Sequence, residues 1–407
     1  MLDETDIWSY IPVADFEVPS PPASDAARGL ARRLWTSLRD AFHRPNQKAS
    51  SEEVQLDRPP VDRLRSVTPD PDWKPAADLL AAELGDDWFD NRRPARPLQV
   101  LIGPPGCDVA EVLEVLAQKR QLNVLTAPSP EVLLEASYSN LSELHAVQES
   151  IDEILVIPHL ERWYLRHQDG LSVVRTLVQR LNQNGRRVLV GCDSWAWAFL
   201  QHAIGVQDRL GAPITLASFD PARLDAWFRS TFDTSEYEFR QSGDGESVFP
   251  ELDNTDKTDT ERPRREKSMT IRSLAATARG NPGVALALWR ASLRTRDTGQ
   301  EPDPSAQTSR PVLWVVSPAQ FALPELPVDA DRVDRFVLHS VLLHGGLSLS
   351  SLVTLLPFSC EQVQRSVSLM RRVGMIEEQM GRLCVTLTAY PLVRRDLLSG
   401  GLLTDSF

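Results

Sequence analysis

Residues 98–110 read Leu-Gln-Val-Leu-Ile-Gly-Pro-Pro-Gly-Cys-Asp-Val-Ala, a sequence that changes from a strand pattern to a helix pattern. The apolar run Leu98–Ile102 has the length and composition of a buried strand. The Gly-Pro-Pro-Gly sequence that follows predicts a tight turn. The spacing of apolar residues over Val109–Arg120 then predicts a helix. A strand that leads through a glycine-rich turn into a helix is typical of an α/β protein.

The same alternation of strand and helix continues along the chain. Further short apolar runs predict strands at Asn123–Leu125, Ile154–Ile157, Val188–Val190 and Ile214–Leu216. Between these strands, the spacing of apolar residues predicts helices at Pro130–Glu135, Gly170–Gln183 and Trp195–Ala203. Continuously apolar strands separated by helices predict a parallel sheet that is covered on both faces.

The turn at 103–110 resembles the phosphate-binding loop of P-loop NTPases, Gly-x-x-x-x-Gly-Lys-[Ser/Thr]. Gly103 fills the first position, but Asp108 replaces the second glycine, Val109 the lysine and Ala110 the hydroxyl residue. In an intact loop, the lysine neutralises phosphates and the hydroxyl holds Mg²⁺. The resemblance therefore implies a loop of this shape without its phosphate chemistry. The alternative is an ordinary tight turn of another α/β fold.

The strand Ile154–Ile157 resembles the Walker B strand, which normally ends in acids that handle Mg²⁺. Pro158 and His159 stand in that place, and we expect Glu161 to point elsewhere. The implied sheet order would bring Cys107, Cys192 and His159 to one edge. Thiolates and imidazoles bind Zn²⁺, but no fourth ligand is evident. Inert buried thiols are the favoured reading, and no metal is predicted.

Later motifs follow the order found in AAA+/STAND ATPases. Val188–Ser194 resembles the sensor-1 strand, Arg209 lies in the arginine-finger region, and Ala278–Val284 resembles the start of the lid helix. The resemblance implies the strand order 5-1-4-3-2 and a helical lid over residues 225–295. Taken alone, the arginine is a solvated loop residue and the Gly-Asn-Pro triplet a helix-start turn. The implied nucleotide-site remnant comprises Gly103, Pro104, Pro105, Gly106, Cys107, Asp108, Val109, Ala110, Pro158, His159, Asp193, Arg209, Gly280, Asn281 and Pro282.

The end of the chain predicts a winged helix, because three helical segments precede two strands. The predicted elements are Asp331–His344, Leu349–Leu356, Cys360–Arg372, Met375–Glu378 and Leu383–Leu387. Candidates for DNA contact on the third helix are Arg365, Arg371 and Arg372, together with Gln362, Ser366 and Ser368. The predicted wing disfavours phosphate, because it carries Glu377 and Glu378 and only one arginine, Arg382.

Four parts are predicted. Residues 1–95 form a partly disordered N-terminal extension, 96–230 the degenerate P-loop core, 231–300 the helical lid and 311–407 the winged-helix domain. The extension contains one amphipathic helix at 24–43, which we expect to pack on its own domain; contact with a membrane or a partner is the alternative. Polar residues 241–267 predict an unstructured insertion within the lid.

Composition excludes several classes of protein. The chain has 407 residues and a net charge of −12, which argues against a general binder of polyanions. Its four cysteines are dispersed and form no disulfide framework or zinc finger. No secretory signal or membrane span is visible in the sequence, so we expect a cytoplasmic protein. No cofactor is predicted.

The leading hypothesis is a catalytically inactive AAA+/STAND-like protein, a pseudo-ATPase that regulates or scaffolds through protein contacts. Its partner would be another protein, such as an active ATPase paralogue. One alternative is a DNA-binding regulator that uses the winged helix. The other is an ATP-binding protein with weak or unconventional ATPase activity.

Overall fold

The computed structural model describes residues 7–20, 56–90, 94–134, 141–147, 153–250, 268–296, 310–316, 323–327 and 330–407. The strands are β1 Tyr10–Pro12, β2 Leu56–Asp57, β3 Leu98–Gly103, β4 Asn123–Val124, β5 Leu155–Ile157, β6 Val188–Asp193, β7 Ile214–Leu216, β8 Glu238–Gln241, β9 Leu293–Arg296, β10 Val312–Val315, β11 Ile376–Gln379 and β12 Arg382–Val385. The helices are α1 Val61–Val67, α2 Lys74–Leu84, α3 Asp86–Asp90, α4 Val109–Arg120, α5 Pro130–Leu134, α6 Ser142–Ala146, α7 Ser172–Asn184, α8 Ser194–Ile204, α9 Val206–Leu210, α10 Pro221–Thr231, α11 Met269–Thr277, α12 Pro282–Ser292, α13 Arg332–Leu343, α14 Leu349–Leu355, α15 Cys360–Arg372 and α16 Tyr390–Ser399. Within the described ranges, no helix has the length and apolar character needed to cross a membrane.

The chain divides into two compact units. The first, which we call the main unit, consists of residues 8–17, 72–217 and 324–407. The second, the small unit, consists of residues 1–7, 18–71 and 218–323. Each unit is described by itself.

The main unit is built on a six-stranded sheet with the order β1-β7-β3-β6-β5-β4. Strands β7, β3, β6, β5 and β4 run parallel. Numbered along the chain from β3, they give the expected order 5-1-4-3-2, so the predicted α/β fold with a parallel sheet is confirmed. β1 adds an antiparallel edge, with Tyr10 opposite Leu216. The register pairs Gly103 with Asp193, which places both at the carboxyl edge of the sheet.

The second part of the expected N-terminal extension is integral to the main unit. Helix α2 buries Ala76, Ala77 and Leu80, and the ring of Trp73 lies 5.5 Å from that of Trp8. The expectation of a loosely folded segment up to residue 95 was therefore wrong here, because alanines supply most of the buried helix face and escape a search for large apolar side chains. The predicted helix at 24–43 lies outside the described residues.

The small unit contains a sheet that the sequence did not predict. Its order is β2-β9-β10-β8, with β10 parallel to β8 and antiparallel to β9. The same unit also contains helices α10, α11 and α12, so the expected lid region is a mixture of helices and strands and is not purely helical. Strand β10 at Val312–Val315 belongs to this unit, so the predicted boundary of the last domain at residue 311 was too early.

The insertion predicted at 241–267 is folded over its first ten residues. Arg240 bridges to Ser247, and Val248 and Phe249 are buried. The ring of Phe249 lies 5.6 Å from that of Trp289. The expectation was wrong for this part, since two apolar side chains anchor an otherwise polar stretch; residues 251–267 lie outside the described ranges.

The last part of the main unit, residues 331–400, is called the C-terminal module below. It contains α13, α14 and α15, then the antiparallel pair β11 and β12, then α16. Capping boxes at Asp331 and Ser359 begin α13 and α15, because each side chain accepts a hydrogen bond from the first turn. The hydroxyl of Tyr164 donates to the carbonyl oxygen of Leu343 at 2.5 Å, which ties the module to the sheet.

Candidate functional site

The loop between β3 and α4 retains two residues in the left-handed region. Gly106 has φ 95° and Asp108 has φ 41°. The backbone N–H of Cys107 donates to the carbonyl oxygen of Pro104 at 3.0 Å, which closes the turn. Asp108 thus occupies, at the position of the second glycine of the P-loop pattern, a conformation that favours glycine.

The side chain at the lysine position lies inside the loop. Val109 is buried, and its Cγ2 lies 2.8 Å from where a Cβ on Gly103 would stand. Cys107 is buried on the same side of Gly103. The isopropyl group packs against the glycine, so this position supplies no cation. Ala110, at the next position, has no hydroxyl for Mg²⁺.

Asp108 does not cap helix α4 as its sequence position suggested. Its side chain is exposed and makes no capping hydrogen bond to the first turn. An N-cap residue normally has an extended backbone, from which its side chain reaches the N–H groups of the first turn. The left-handed backbone of Asp108 departs from that geometry. The structure therefore assigns no capping role to this carboxylate.

The buried carboxylate of Glu161 lies near the end of β5, although the sequence predicted that this side chain would point elsewhere. Pro158 and His159 follow the strand, and a single 3₁₀ turn at Leu160–Arg162 brings Glu161 back to the sheet edge. Its Oε1 lies 2.7 Å from Nδ1 of His159. Its Oε2 accepts a hydrogen bond from the backbone N–H of Asp193 at 3.3 Å. Glu161 therefore joins the ends of β5 and β6.

Asp193, at the end of β6, is the second carboxyl group of this edge. Its Oδ1 accepts from the backbone N–H of Trp195 at 2.8 Å, so it caps helix α8. Burial and then the negative charge of Glu161 raise the pKa of Asp193 well above its ordinary value. Glu161 thus disfavours the ionisation of Asp193, which lies opposite Gly103 at the carboxyl edge of the sheet.

The third carboxyl group comes from the other end of the chain. The side chain of Asp405 is 1% exposed and accepts from Arg394 Nε at 2.9 Å. It also accepts from the hydroxyls of Ser194, at 2.5 Å, and Tyr390, at 3.2 Å. Burial raises the pKa of Asp405, while Arg394 opposes the change. No sequence signal pointed to this residue, because the segment 401–407 has neither periodicity nor a motif.

Glu161, Asp193 and Asp405 are called the carboxyl cluster below. Asp193 feels the charge of both other members, and Cys107 of the loop feels that of Asp193 and Asp405. The cluster therefore lies in the electrostatic range of the degenerate loop. A polyphosphate held by that loop would meet carboxyl groups and no lysine.

The two thiols at the sheet edge are protonated and buried. Burial raises the pKa of both Cys107 and Cys192 far above the ordinary value, so neither is a thiolate at neutral pH. In the part of the chain that the structure describes, no group of three or more His, Cys, Asp or Glu side chains is arranged to hold a metal ion.

The remaining positions of the expected site belong to other elements of the chain. Arg209 is exposed on the short helix α9 of the main unit. Gly280, Asn281 and Pro282 belong to the small unit. There Gly280 has φ 76°, and Asn281 Oδ1 accepts from the backbone N–H of Val284 at 3.0 Å, which caps α12. The structure thus assigns the triplet a role in starting a helix.

The candidate DNA-reading face of α15 is smaller than the sequence suggested. Arg365 and Arg372 are exposed, and Arg371 forms an ion pair with Glu378 at 3.2 Å. Ser366 is buried and donates to Asp334 Oδ1 at 2.5 Å, so its inclusion among the candidates was wrong. The arginine of the hairpin also turns inward: Arg382 donates to the carbonyl oxygen of His344 at 2.9 Å.

Comparison with known proteins gives only distant similarities. No protein family matches the sequence, and no curated protein matches it. Among solved structures, Cdc6p from Pyrobaculum aerophilum is 11% identical, with 84% of this chain and 98% of that chain covered and a TM-score of 0.31. The ORC1 protein of Aeropyrum pernix in complex with DNA is 12% identical, with 86% and 100% covered and a TM-score of 0.34. Drosophila ORC bound to DNA is 13% identical, with 89% and 99% covered and a TM-score of 0.37. These values are too low to carry an argument, so the fold assignment rests on the strand order.

Proposed function

We propose that this chain is a catalytically inactive, AAA+-like protein that acts through protein contacts. The assignment to the AAA+/STAND type rests on the strand order together with the order of the sequence motifs. The observation that carries the inactivity is the loop itself, whose lysine position is filled by buried Val109 and whose next residue, Ala110, has no hydroxyl. The loop therefore lacks both the cation for the phosphates and its ligand for Mg²⁺.

The electrostatics disfavour a bound triphosphate. Asp405 accepts hydrogen bonds from Arg394, Ser194 and Tyr390. The guanidinium group of Arg394 is therefore already paired with a carboxylate of the chain. Phosphoryl transfer depends on positioning and on stabilisation of negative charge. Neither is provided by Val109, Ala110, Pro158 or His159.

A protein partner is the second part of the proposal. Arg209 is exposed on α9 and lies in the sequence region where AAA+ proteins carry their arginine finger. An inactive subunit that keeps such an arginine can still complete the site of an active ATPase paralogue. The C-terminal module, which we propose to be a winged helix, would then serve protein contacts.

The test is steady-state hydrolysis of Mg²⁺-ATP by the purified chain. We expect no turnover above the background hydrolysis of Mg²⁺-ATP measured without the protein. A Mg²⁺-dependent turnover that co-purifies with the chain and disappears when residues 103–110 are replaced would contradict the proposal and favour the unconventional ATPase.

DNA binding is the second candidate, favoured by the exposed guanidinium groups of Arg365 and Arg372. The hairpin opposes it, because Glu377 and Glu378 are exposed there and Arg382 points inward. A gel-shift experiment with duplex DNA at low salt separates the two functions. A shift that is lost in the Arg365→Gln variant would support the DNA-binding candidate. Membrane contact through residues 24–43 remains a prediction from sequence.

A further inference from the structure

A cavity of about 290 Å³ lies in the main unit, next to the carboxyl ends of β4 and β5. The C-terminal module contributes His344, Leu347 and Arg382 to its wall. The opposite wall is apolar and includes Leu125 and Leu133. No residue of the loop 103–110 lines the cavity, whereas Pro158, His159 and Glu161, which follow β5, do.

Two arginines that line the cavity, Arg162 and Arg382, have hydrogen-bonding groups without partners. The Nε atoms of Arg162 and Arg382 are buried and have no hydrogen-bond partner. The guanidinium group of Arg162 makes no hydrogen bond or ion pair with any described residue. Arg382 uses Nη2 to donate to the carbonyl oxygens of His344 and Gly346. Buried polar groups are normally paired, so these two are exceptions that call for a physical reason.

The two guanidinium groups are also close enough to repel each other. Burial, and then the positive charge of Arg162, lower the pKa of Arg382. The neighbouring carboxylates do not pair with either arginine. Glu161 is engaged by His159 and by the backbone N–H of Asp193. Glu114 is half-exposed and lies 3.8 Å from Nε2 of His159.

We propose that this cavity binds a small organic anion, a phosphate monoester or a carboxylate with a compact apolar body. Its charged group would lie between Arg162 and Arg382, because guanidinium groups bind such oxygens through paired N–H donors. The apolar body would pack on Leu125 and Leu133, as in ligand sites where a few polar groups orient a largely apolar molecule.

The experiment is calorimetric titration of the full chain at low salt with phenyl phosphate, benzoate, inorganic phosphate and benzyl alcohol. We expect saturable binding of phenyl phosphate or benzoate, and whichever binds more tightly identifies the charged group. Inorganic phosphate should bind more weakly, since it lacks the apolar body, and neutral benzyl alcohol should not bind. The preferred anion should also raise the melting temperature, because it binds only the folded chain.

Two variants test the site, and a third serves as control. Arg162→Gln should weaken binding at least about tenfold, and should fold normally because this guanidinium group has no partner to lose. Ala127→Trp should fill the cavity and abolish binding. Arg175→Gln, on the exposed face of α7, should leave the affinity unchanged. Absence of saturable binding by both organic anions, or equal binding by wild type and Arg162→Gln, would overturn the proposal.

Discussion

Acid should destabilise the main unit because two of its histidines are buried. His339 lies in α13, and His344 lies at the C-terminal end of that helix. His344 Nδ1 donates to the carbonyl oxygen of Ser340 at 2.8 Å, and its Nε2 accepts from the backbone N–H of Arg166 at 3.0 Å. His339 Nε2 donates to the carbonyl oxygen of Leu403 at 2.9 Å, and its Nδ1 accepts from Arg166 Nη1 at 3.3 Å. In both rings the second proton would face a donor of Arg166, so each histidine fits its site only when neutral.

The magnitude follows from the pKa values. Burial is the main cause that lowers the pKa of each histidine to about 4, from an ordinary value of 6.5. Because the folded pKa is below the unfolded one, protonation favours the unfolded chain. Stability is complete above pH 6.5 and is lost as the pH falls toward 4. At pH 5 the loss is about 2 kcal/mol for each histidine, or about 4 kcal/mol together.

The assay is urea denaturation followed by tryptophan fluorescence at pH 7, 6 and 5. Asp193 and Asp405 have raised pKa values and act in the opposite direction, so wild type alone does not isolate the histidines. The control is the double variant His339→Gln with His344→Gln, whose side chains offer a donor and an acceptor without titrating. We expect it to be less stable at pH 7 and to lose much less stability at pH 5. Equal losses in both proteins would refute the reasoning.

Three further predictions follow from the loop, the carboxyl cluster and the small unit. Asp108→Gly should leave the free energy of unfolding in urea unchanged or raise it by up to about 1 kcal/mol. The reason is that the change relieves a left-handed backbone at a non-glycine residue and removes no capping hydrogen bond. A clear loss of stability would instead indicate that the Asp108 side chain caps α4. Asp405→Ala should cost about 3–5 kcal/mol in the same assay, since it leaves the guanidinium group of Arg394 buried without its partner, and a loss under about 1 kcal/mol would show that the pair is unimportant. Deletion of 251–267 should change the melting temperature by only a few degrees, whereas a deletion extended to include Phe249 should lower it clearly; equal effects would show that this ring does not anchor the segment.

The sequence predicted the main sheet well because its strands are continuous apolar runs. Val188–Val190 and Ile214–Leu216 have no polar residue at a buried position except Thr215, so their assignment did not depend on knowing the fold. The bounds of Val109–Arg120 were predicted without error, because a turn precedes the helix and the apolar spacing ends with it. Strand order required the resemblance to a family, since apolar runs carry no information about neighbours.

The candidate site was predicted only in part, because side-chain direction at a strand end depends on local turns. The position of Glu161 four residues beyond a strand suggested a side chain pointing away, and a single 3₁₀ turn reverses that direction. Asp405 belongs to a segment without a pattern, and its partners Ser194 and Arg394 are 211 and 11 residues away. Contacts of this kind become visible only in three dimensions.

The central claim is that the loop between β3 and α4 does not bind nucleotide because its own residues have replaced the phosphate-binding groups. The direct measurement is calorimetric titration of Mg²⁺-ATP into wild type and into the triple variant Asp108→Gly, Val109→Lys, Ala110→Thr. An Arg162→Gln reference excludes ATP held in the anion cavity. The account predicts no binding by wild type at this loop and a measurable affinity in the triple variant, still with little hydrolysis. Micromolar binding by wild type that survives Arg162→Gln and is not improved in the triple variant would contradict it.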